Sequence, residues 1–471
     1  MTAQHVMGVD VGSTYIKGLV VDAHGAQVAI ARVDTPWRSR PLGRTEMDAA
    51  ALVGAVRTIL DDVAAQLVAH AADAQIAAIG VSGMAESGVL VTEEQPDSPA
   101  DAVVGPIVAW FDPRGDEALA AVSDEVARDF GGRTGLPFTP LATFGKLLTR
   151  RAEGLNLSGL QWLNVPEFVA HALGGSRRGE VSLVSRTGLI DQGTGDTWGA
   201  ALAELGVGPS FLPPRLPAGS SWGTVHGDVP APVAGARLTV AGHDHLVASV
   251  AAGAVSPETM YDSIGTAEAL VRVLDHPLDR AARASLAAHG IDTVRHMLPG
   301  RSVLLAGTRS GLLMRRVLQL AGIHDAEGRA QLDDAVMHLA EVPAGLRVTG
   351  GDNTDGVLTV HASSDGLNPA ALFAATLRHS TELVHEVVAR MDAEVPPATS
   401  TIVAGGWAQM ASVRRARLAA FPGVIFSDHQ EDTAFGAALV AAFCADDSAT
   451  DLTDFAAKFC ANTPTQEGSP V

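Results

Sequence analysis

Twice, about half a chain apart, an aspartate leads into a glycine turn between two β-type runs. The first is Asp10-Val-Gly-Ser-Thr in HVMGVDVGSTYIKGLVV and the second is Asp262-Ser-Ile-Gly-Thr in MYDSIGTAEALVRV. A β-branched run, a glycine turn and a second such run read as a hairpin. A chain that repeats its opening hairpin is constrained to two units of similar design. The other elements agree. Over 48–70 the apolar residues Leu52, Val56, Ile59, Leu60, Val63 and Leu67 recur at helical spacing. The segments 77–82 and 103–110 read as buried strands, and 206–233, rich in Gly, Pro and Ser, reads as connection. A strand at 237–241 precedes a helix from Leu246, and the second half continues with a helix at 311–321 and a strand at 357–361. A helix at 369–391, a strand at 401–404 and a helix at 433–444 complete it. Strands alternating with helices predict an α/β fold.

The 471 residues allow two large domains or three ordinary ones, and 47% hydrophobic content supplies full cores. With 33 basic and 53 acidic residues the formal charge is −20, which opposes a nucleic-acid or anionic-membrane partner. A phosphate ligand must therefore be held locally, by backbone amides and a metal ion. Cys444 and Cys460, the only cysteines, cannot frame a disulfide scaffold, and a reducing compartment fits. The N-terminus has no charged-then-apolar leader, and the most apolar window, 240–255, contains His243, Asp244 and His245. The expectation is a cytoplasmic protein without a membrane span.

Five places can carry chemistry. In the first hairpin Gly12 permits a tight turn, and the amides of Ser13 and Thr14 can face an anion. Asp10 can hold the water shell of Mg²⁺, and Lys17 can meet a phosphate as a point charge. An ordinary hairpin with a polar turn accounts for this segment equally well. The second turn, with Gly265 and Thr266, offers the same chemistry and the same plain alternative. In Ala241-Gly-His-Asp-His245 a strand opens into a helix, so Asp244 stands where ligands gather in open α/β sheets. It can accept the proton of an attacking hydroxyl, or simply cap the helix. A zinc site there has only two close histidines, His243 and His245. Gly405 and Gly406, after an apolar strand, let backbone approach a base or a phosphate, or make a turn. Ser82-Gly-Met-Ala-Glu86 and Ala109-Trp-Phe-Asp-Pro-Arg114 each put a carboxylate a few residues past a strand. Trp110 can face a sugar ring while Glu86, Asp112 and Arg114 bond hydroxyls. A surface ion pair and a core tryptophan would give the same spacing. No G-x-x-x-x-G-K-[ST] loop occurs.

Taken in order, from GVDVGSTYIKG to EDTAFGAALVAAF, these elements resemble the FGGY carbohydrate kinases of the actin-like ATPase superfamily, which include xylulose and glycerol kinases. The resemblance implies two ribonuclease-H-like α/β domains flanking a catalytic cleft, here 1–247, mainly for sugar, and 248–471, mainly for nucleotide. It implies ATP and Mg²⁺, with Asp10, Gly12, Ser13, Thr14 and Lys17 as one phosphate motif and Gly265 and Thr266 as the other. It makes Asp244 the catalytic base, puts Gly311 in the adenine-pocket region and matches Gly405 and Gly406 to the adenosine motif. Met84, Ala85, Glu86 and Trp110 fall at sugar contacts, Asp112 and Arg114 continue the second of those loops, and Lys146 stands where a lysine is common. Met84-Ala85-Glu86 departs from the Met-His of ketopentose kinases and keeps only the glutamate of glycerol kinases. Trp407 replaces a small residue after the glycine pair. The implied reaction moves the terminal phosphate of ATP to a hydroxyl, terminal by expectation, of a small sugar or polyol. The family likeness also allows a homodimer. Two other readings share the frame: a sugar and nucleotide sensor without turnover, and an actin-like ATPase without a sugar substrate.

Overall fold

The first hairpin joins β1 (His5–Val11) to antiparallel β2 (Tyr15–Val21), with Val11 opposite Ile16 and Asp10 opposite Lys17. Every residue of β1 is buried, as a strand covered on both faces requires. The protein is described by a computed structural model that covers residues 5–92, 94, 99–351, 357–363, 365, 367–427 and 431–462. Beyond β2 lies antiparallel β3 (Gln27–Asp34). On the other side of β1 lie β4 (Ile76–Gly83) and then β5 (Arg237–His243), both parallel to it. A short edge strand, Gly223–Thr224, closes this sheet. The helix expected over 48–70 is α1 (Ala49–His70), and all six residues that carried its periodicity are buried against the sheet.

The second sheet repeats this plan. The hairpin of β6 (Thr259–Ile264) and β7 (Glu268–Leu274) is followed by antiparallel β9 (Ser302–Thr308), with β8 (Asp292–Arg295) at that edge. On the other side of β6 run parallel β10 (Ser400–Ala404) and β11 (Val424–Phe426). The orders β3-β2-β1-β4-β5 and β9-β7-β6-β10-β11 are therefore the same, three antiparallel strands and then two parallel ones. This is the mixed α/β architecture expected, one sheet in each half.

The expected division at 247/248 separates the strands of the two sheets but not the helices. Helix α3 (Asp244–Ala251) leaves β5, and α7 (Asp432–Ala445), from near the end of the chain, packs on the first sheet and on α3. Glycines make that approach close. A Cβ on Gly8 would run into the Ala434 carbonyl, one on Gly80 into that of Ala437, and one on Gly436 into that of Val247. The halves also meet through a second pair of helices. Helix α2 (Asp124–Thr134) lies on α4 (Arg280–Ala287), and the Thr293 amide donates to the Gly135 carbonyl at 2.7 Å.

Two strands differ from expectation. Of 103–110 only Ile107–Val108 forms a strand, in a small sheet with Thr45–Met47, and Val103 makes a single bridge to Val91, because Gly105-Pro106 interrupts the run. The strand expected at 357–361 is Thr359–Ala362, paired with Leu346–Thr349 outside both main sheets.

Candidate active site

The C-terminal ends of β1, β4 and β5 lie side by side, Val11 opposite Gly83 and Gly83 opposite His243. This brings Gly12, Glu86 and Asp244 to one rim, the place where ligands bind in open α/β sheets. Asp244 is the first residue of α3, and its side chain keeps 21% exposure. Its Oδ1 accepts the His245 amide at 2.7 Å and lies 3.1 Å from His243 Nε2. Burial pushes the carboxyl up, but His245, His243 and the amide bond together hold it below the usual carboxylate range. Burial keeps His243 itself well below the usual histidine range, hence neutral. No group of three His, Cys, Asp or Glu placed to hold a metal ion is found among the described residues.

Behind this turn stands a support the sequence reading missed. The His243 amide donates to Ser182 Oγ at 3.1 Å, Ser182 Oγ donates to Glu180 Oε2 at 2.6 Å, and the Glu180 amide donates to Glu167 Oε1 at 2.8 Å. Gly242, with φ of 120°, leaves room for Ser182 Oγ where a Cβ would lie.

Asp10 is 8% exposed, and its Oδ1 is buried with no hydrogen-bond partner. Burial, then the Asp244 carboxylate, push its carboxyl up to about 7 against the opposing pull of Lys17. A carboxylate left short of partners beside a second carboxylate suits a hydrated divalent cation, which favours one or two carboxylates plus phosphate oxygens. Lys17 Nζ is paired with Glu431 Oε2 at 2.5 Å. The turn itself is pinned from outside. Trp110 Nε1 donates to Ser13 Oγ and Trp37 Nε1 to Ser13 O, both at 2.8 Å, while Thr35 Oγ1 donates to Gly12 O at 2.7 Å. Thr14 stands exposed at the tip.

In the second half Thr266 is exposed at the matching tip. Gly311, near the start of α5 (Ser310–Leu320), is buried with its Cα against the Gly265 carbonyl, where a Cβ would collide. Its place is under the second glycine turn. Gly405 has φ of 91° and sits against Ile264, and Gly406 is open, with nothing near its Cβ position. Trp407 turns away to pack on Phe373 of α6 (Pro369–Asp392), ring centroids 6.1 Å apart, so its bulk goes to the core.

Among the sugar-loop candidates, Met84 and Ala85 are 2% and 1% exposed and belong to the first core. Glu86 has left-handed backbone, φ 59°, and pairs with Arg186. Trp110 spends its N–H on Ser13, and the Arg309 guanidinium of the second half lies 5.9 Å from its ring. Asp112 and Arg114, expected to continue a sugar-contacting loop, are engaged within the protein. They hold each other at 2.7 and 2.9 Å, Asp112 takes the Thr45 amide and Arg114 takes Glu46, all at no more than 7% exposure for the pair. They brace the Trp110 loop. Neither is a surface ion pair. Lys146 is buried, its Nζ donating to the Leu141 carbonyl at 2.6 Å, and burial pushes it down to about 8. Arg186, Asp292 and Glu431 were not found from the sequence. Arg186 and Asp292 lie at short elements that no local pattern marks, and Glu431 only precedes the last expected helix, with nothing in its neighbours to pair it with Lys17.

Residues 5–251 match the model of the N-terminal domain of the FGGY family of carbohydrate kinases, more than half of the chain. A glycerol kinase from Rhizorhabdus wittichii is 28% identical over 284 residues, which cover 57% of this chain and 53% of that protein. The match thus spans about half the length of that curated relative. The fold is similar to that of a xyloylose kinase from Brucella ovis, with a TM-score of 0.82 at 20% identity, covering 98% of this chain and 93% of that one. It is similar also to Plasmodium falciparum glycerol kinase with ADP, with a TM-score of 0.82 at 15% identity, covering 97% and 92%.

Proposed function

The chain belongs to the FGGY family of carbohydrate kinases, and from that membership we propose that it transfers the terminal phosphate of ATP to a hydroxyl of a small sugar or polyol, with Asp244 as general base. One observation carries this reading: an ionised, partly exposed Asp244 shares the rim of the first sheet with Asp10, whose buried Oδ1 has no partner. Asp244 orients the acceptor hydroxyl and takes its proton as that oxygen attacks the γ-phosphorus in line. The amides of the Gly12 and Gly265 turns hold the phosphate chain from both sides. Gly405 and Gly406 leave space for the nucleoside. Asp10 would hold Mg²⁺ through its water shell, and the ion, when bound, neutralises phosphate charge. Most of the rate comes from positioning and charge stabilisation.

The reading places the enzyme in the cytoplasm, supported by Cys444 and Cys460 both being free thiols. No helix among the described residues is long and apolar enough to cross a membrane. Acceptor-dependent ADP release, measured over ketoses, aldoses and alditols, tests the proposal. A sugar or polyol that raises ADP release well above the rate with ATP alone is the expected result. ATP hydrolysis indifferent to every acceptor would favour an actin-like ATPase, and acceptor binding without turnover would favour a sensor.

A further inference from the structure

Arg186 follows the short helix Val181–Ser185 and is 8% exposed. Through Nε it holds Glu86, in the loop after β4, and through Nη2 it holds Asp292 of β8 at 2.7 Å. The first partner belongs to the first half of the molecule and the second to the other half. The three side chains are 10, 12 and 15% exposed. Arg186 Nη1 is buried with no hydrogen-bond partner among the described residues. One oxygen of each carboxylate faces the guanidinium. The other, Oε2 of Glu86 and Oδ1 of Asp292, accepts no hydrogen bond among the described residues. The cluster is close enough to Asp244 for Arg186 to act on its charge. The left-handed backbone of Glu86 fits a functional place, since such strain persists where the surroundings over-determine it and collects at ligand sites.

The charges decide what this cradle can take. One guanidinium is shared by two carboxylates, the buried Lys146 ammonium also acts on Glu86, and Asp244 adds a third negative charge nearby, so three negative charges face two positive ones. A second anion entering here would lose its water shell and meet a surplus of negative charge. An uncharged polyol meets the reverse: two carboxylate oxygens ready to accept hydroxyls and a buried N–H ready to donate to an oxygen. Sites built to bond hydroxyls discriminate steeply, because a misfit leaves buried polar groups unpaired.

We propose that Arg186, Glu86 and Asp292 form the acceptor-selecting part of the cleft, that they take uncharged polyols or sugars and reject acceptors bearing a carboxylate or phosphate, and that the selection needs both halves because Asp292 comes from the second. This deepens the kinase reading and rests on it.

The test compares kcat/KM for ketoses and alditols with that for aldonates of the same chain length, at fixed ATP, in the wild-type protein and in Asp292→Asn and Arg186→Lys. An uncharged acceptor is expected to exceed its aldonate by about 100-fold or more. Asp292→Asn removes one surplus charge and should narrow that gap about tenfold. Arg186→Lys replaces a fork by a point charge that cannot bridge both carboxylates, and should raise the acceptor KM about tenfold. The KM for ATP should stay within about twofold in both variants. Wild-type preference for aldonates would overturn this inference and leave the kinase reading standing, and this arm needs no variant to fold. Variants that move the ATP KM while leaving the acceptor KM unchanged would overturn it too. Turnover with no acceptor of either kind would overturn both the inference and the kinase reading.

Discussion

At the end of the first sheet Gly83 faces Val11, and at the end of the second Gly405 sits against Ile264. In both places a Cβ would strike the strand that leads into the glycine turn, Val11 O in one half and Ile264 O in the other. Gly12 and Gly265 then open turns whose tips, Thr14 and Thr266, are exposed. The frames match, and the charges do not. Counted back from the turn glycine, Asp10 is two residues away and Asp262 is three. Side chains alternate across a strand, so one residue sends Asp262 to the opposite face. There it is fully buried against Arg417 at 2.9 Å, with Glu268 on the same guanidinium. The counterpart of Asp10 is Ser263, set beside Ala269 and Ala404, where Asp10 has Lys17 and Ser82. On the proposed reading, a duplicated backbone would grip phosphate from two sides, while the charge that would face the metal and the base would both sit on the first side.

The largest effect expected from this asymmetry is at Asp10. Asp10→Asn should lower kcat by about 10²–10³-fold, as loss of a charge-positioning group does, whereas Ser263→Ala should change it only a few-fold. Steady-state kinetics at saturating ATP compares the two. The same substitution should stabilise the metal-free protein. The Asp10 carboxyl is raised from 3.8 to about 7, chiefly by burial, so the fold favours its protonated form. That contribution is full below the unfolded value of 3.8 and is lost as pH rises to about 7. Urea unfolding in chelator should therefore show Asp10→Asn gaining about 2–4 kcal/mol at pH 8 and almost nothing at pH 4. Equal stability of both proteins at pH 8 would contradict the electrostatic account of the site.

A middling effect should separate the glycines. Gly405→Ala places a Cβ at positive φ against Ile264 backbone and should cost about 2 kcal/mol or more, with a raised KM for ATP. Gly265→Ala meets nothing closer than 3.5 Å and should cost under about 1 kcal/mol. Thermal unfolding and ATP titration of the two variants would show whether strand contact or turn flexibility makes these glycines necessary.

The smallest effect belongs to Asp262. Burial, then Glu268, push its carboxyl well above the usual range, so Asn imitates its neutral form. Asp262→Asn should leave kcat within about twofold and stability within about 1–2 kcal/mol. A collapse of activity matching that of Asp10→Asn would make the two aspartates equivalent and break the comparison.

Much of this was legible in the sequence because it rests on local patterns. The period of Leu52, Val56, Ile59, Leu60, Val63 and Leu67 marked α1, and both glycine turns were marked by the runs flanking them. The aspartates looked alike because each motif was read as a set of residue types, while the face of a strand depends on parity. Asp112 and Arg114 were read as two separate polar groups, but two neighbouring opposite charges satisfy each other. Arg186 with Asp292, and Lys17 with Glu431, are joined across 106 and 414 residues. Nothing local announces such pairs, since only the packing of α7 and β8 brings their ends together. The Ser182–Glu180–Glu167 support was hidden for the same reason: its links run from His243 to Ser182 and from Glu180 to Glu167, across 61 and 13 residues.

The central claim is that the Asp244 carboxylate takes the acceptor proton at the rim shared with Asp10. Asp244→Asn keeps the shape of the side chain and removes the base. Acceptor-dependent ADP release by this variant, with ATP binding titrated on the same preparation, measures the claim directly. The account predicts a fall in kcat of about 10²–10⁴-fold with the ATP Kd changed by less than about threefold. An Asn variant that turns over at the wild-type rate would contradict it.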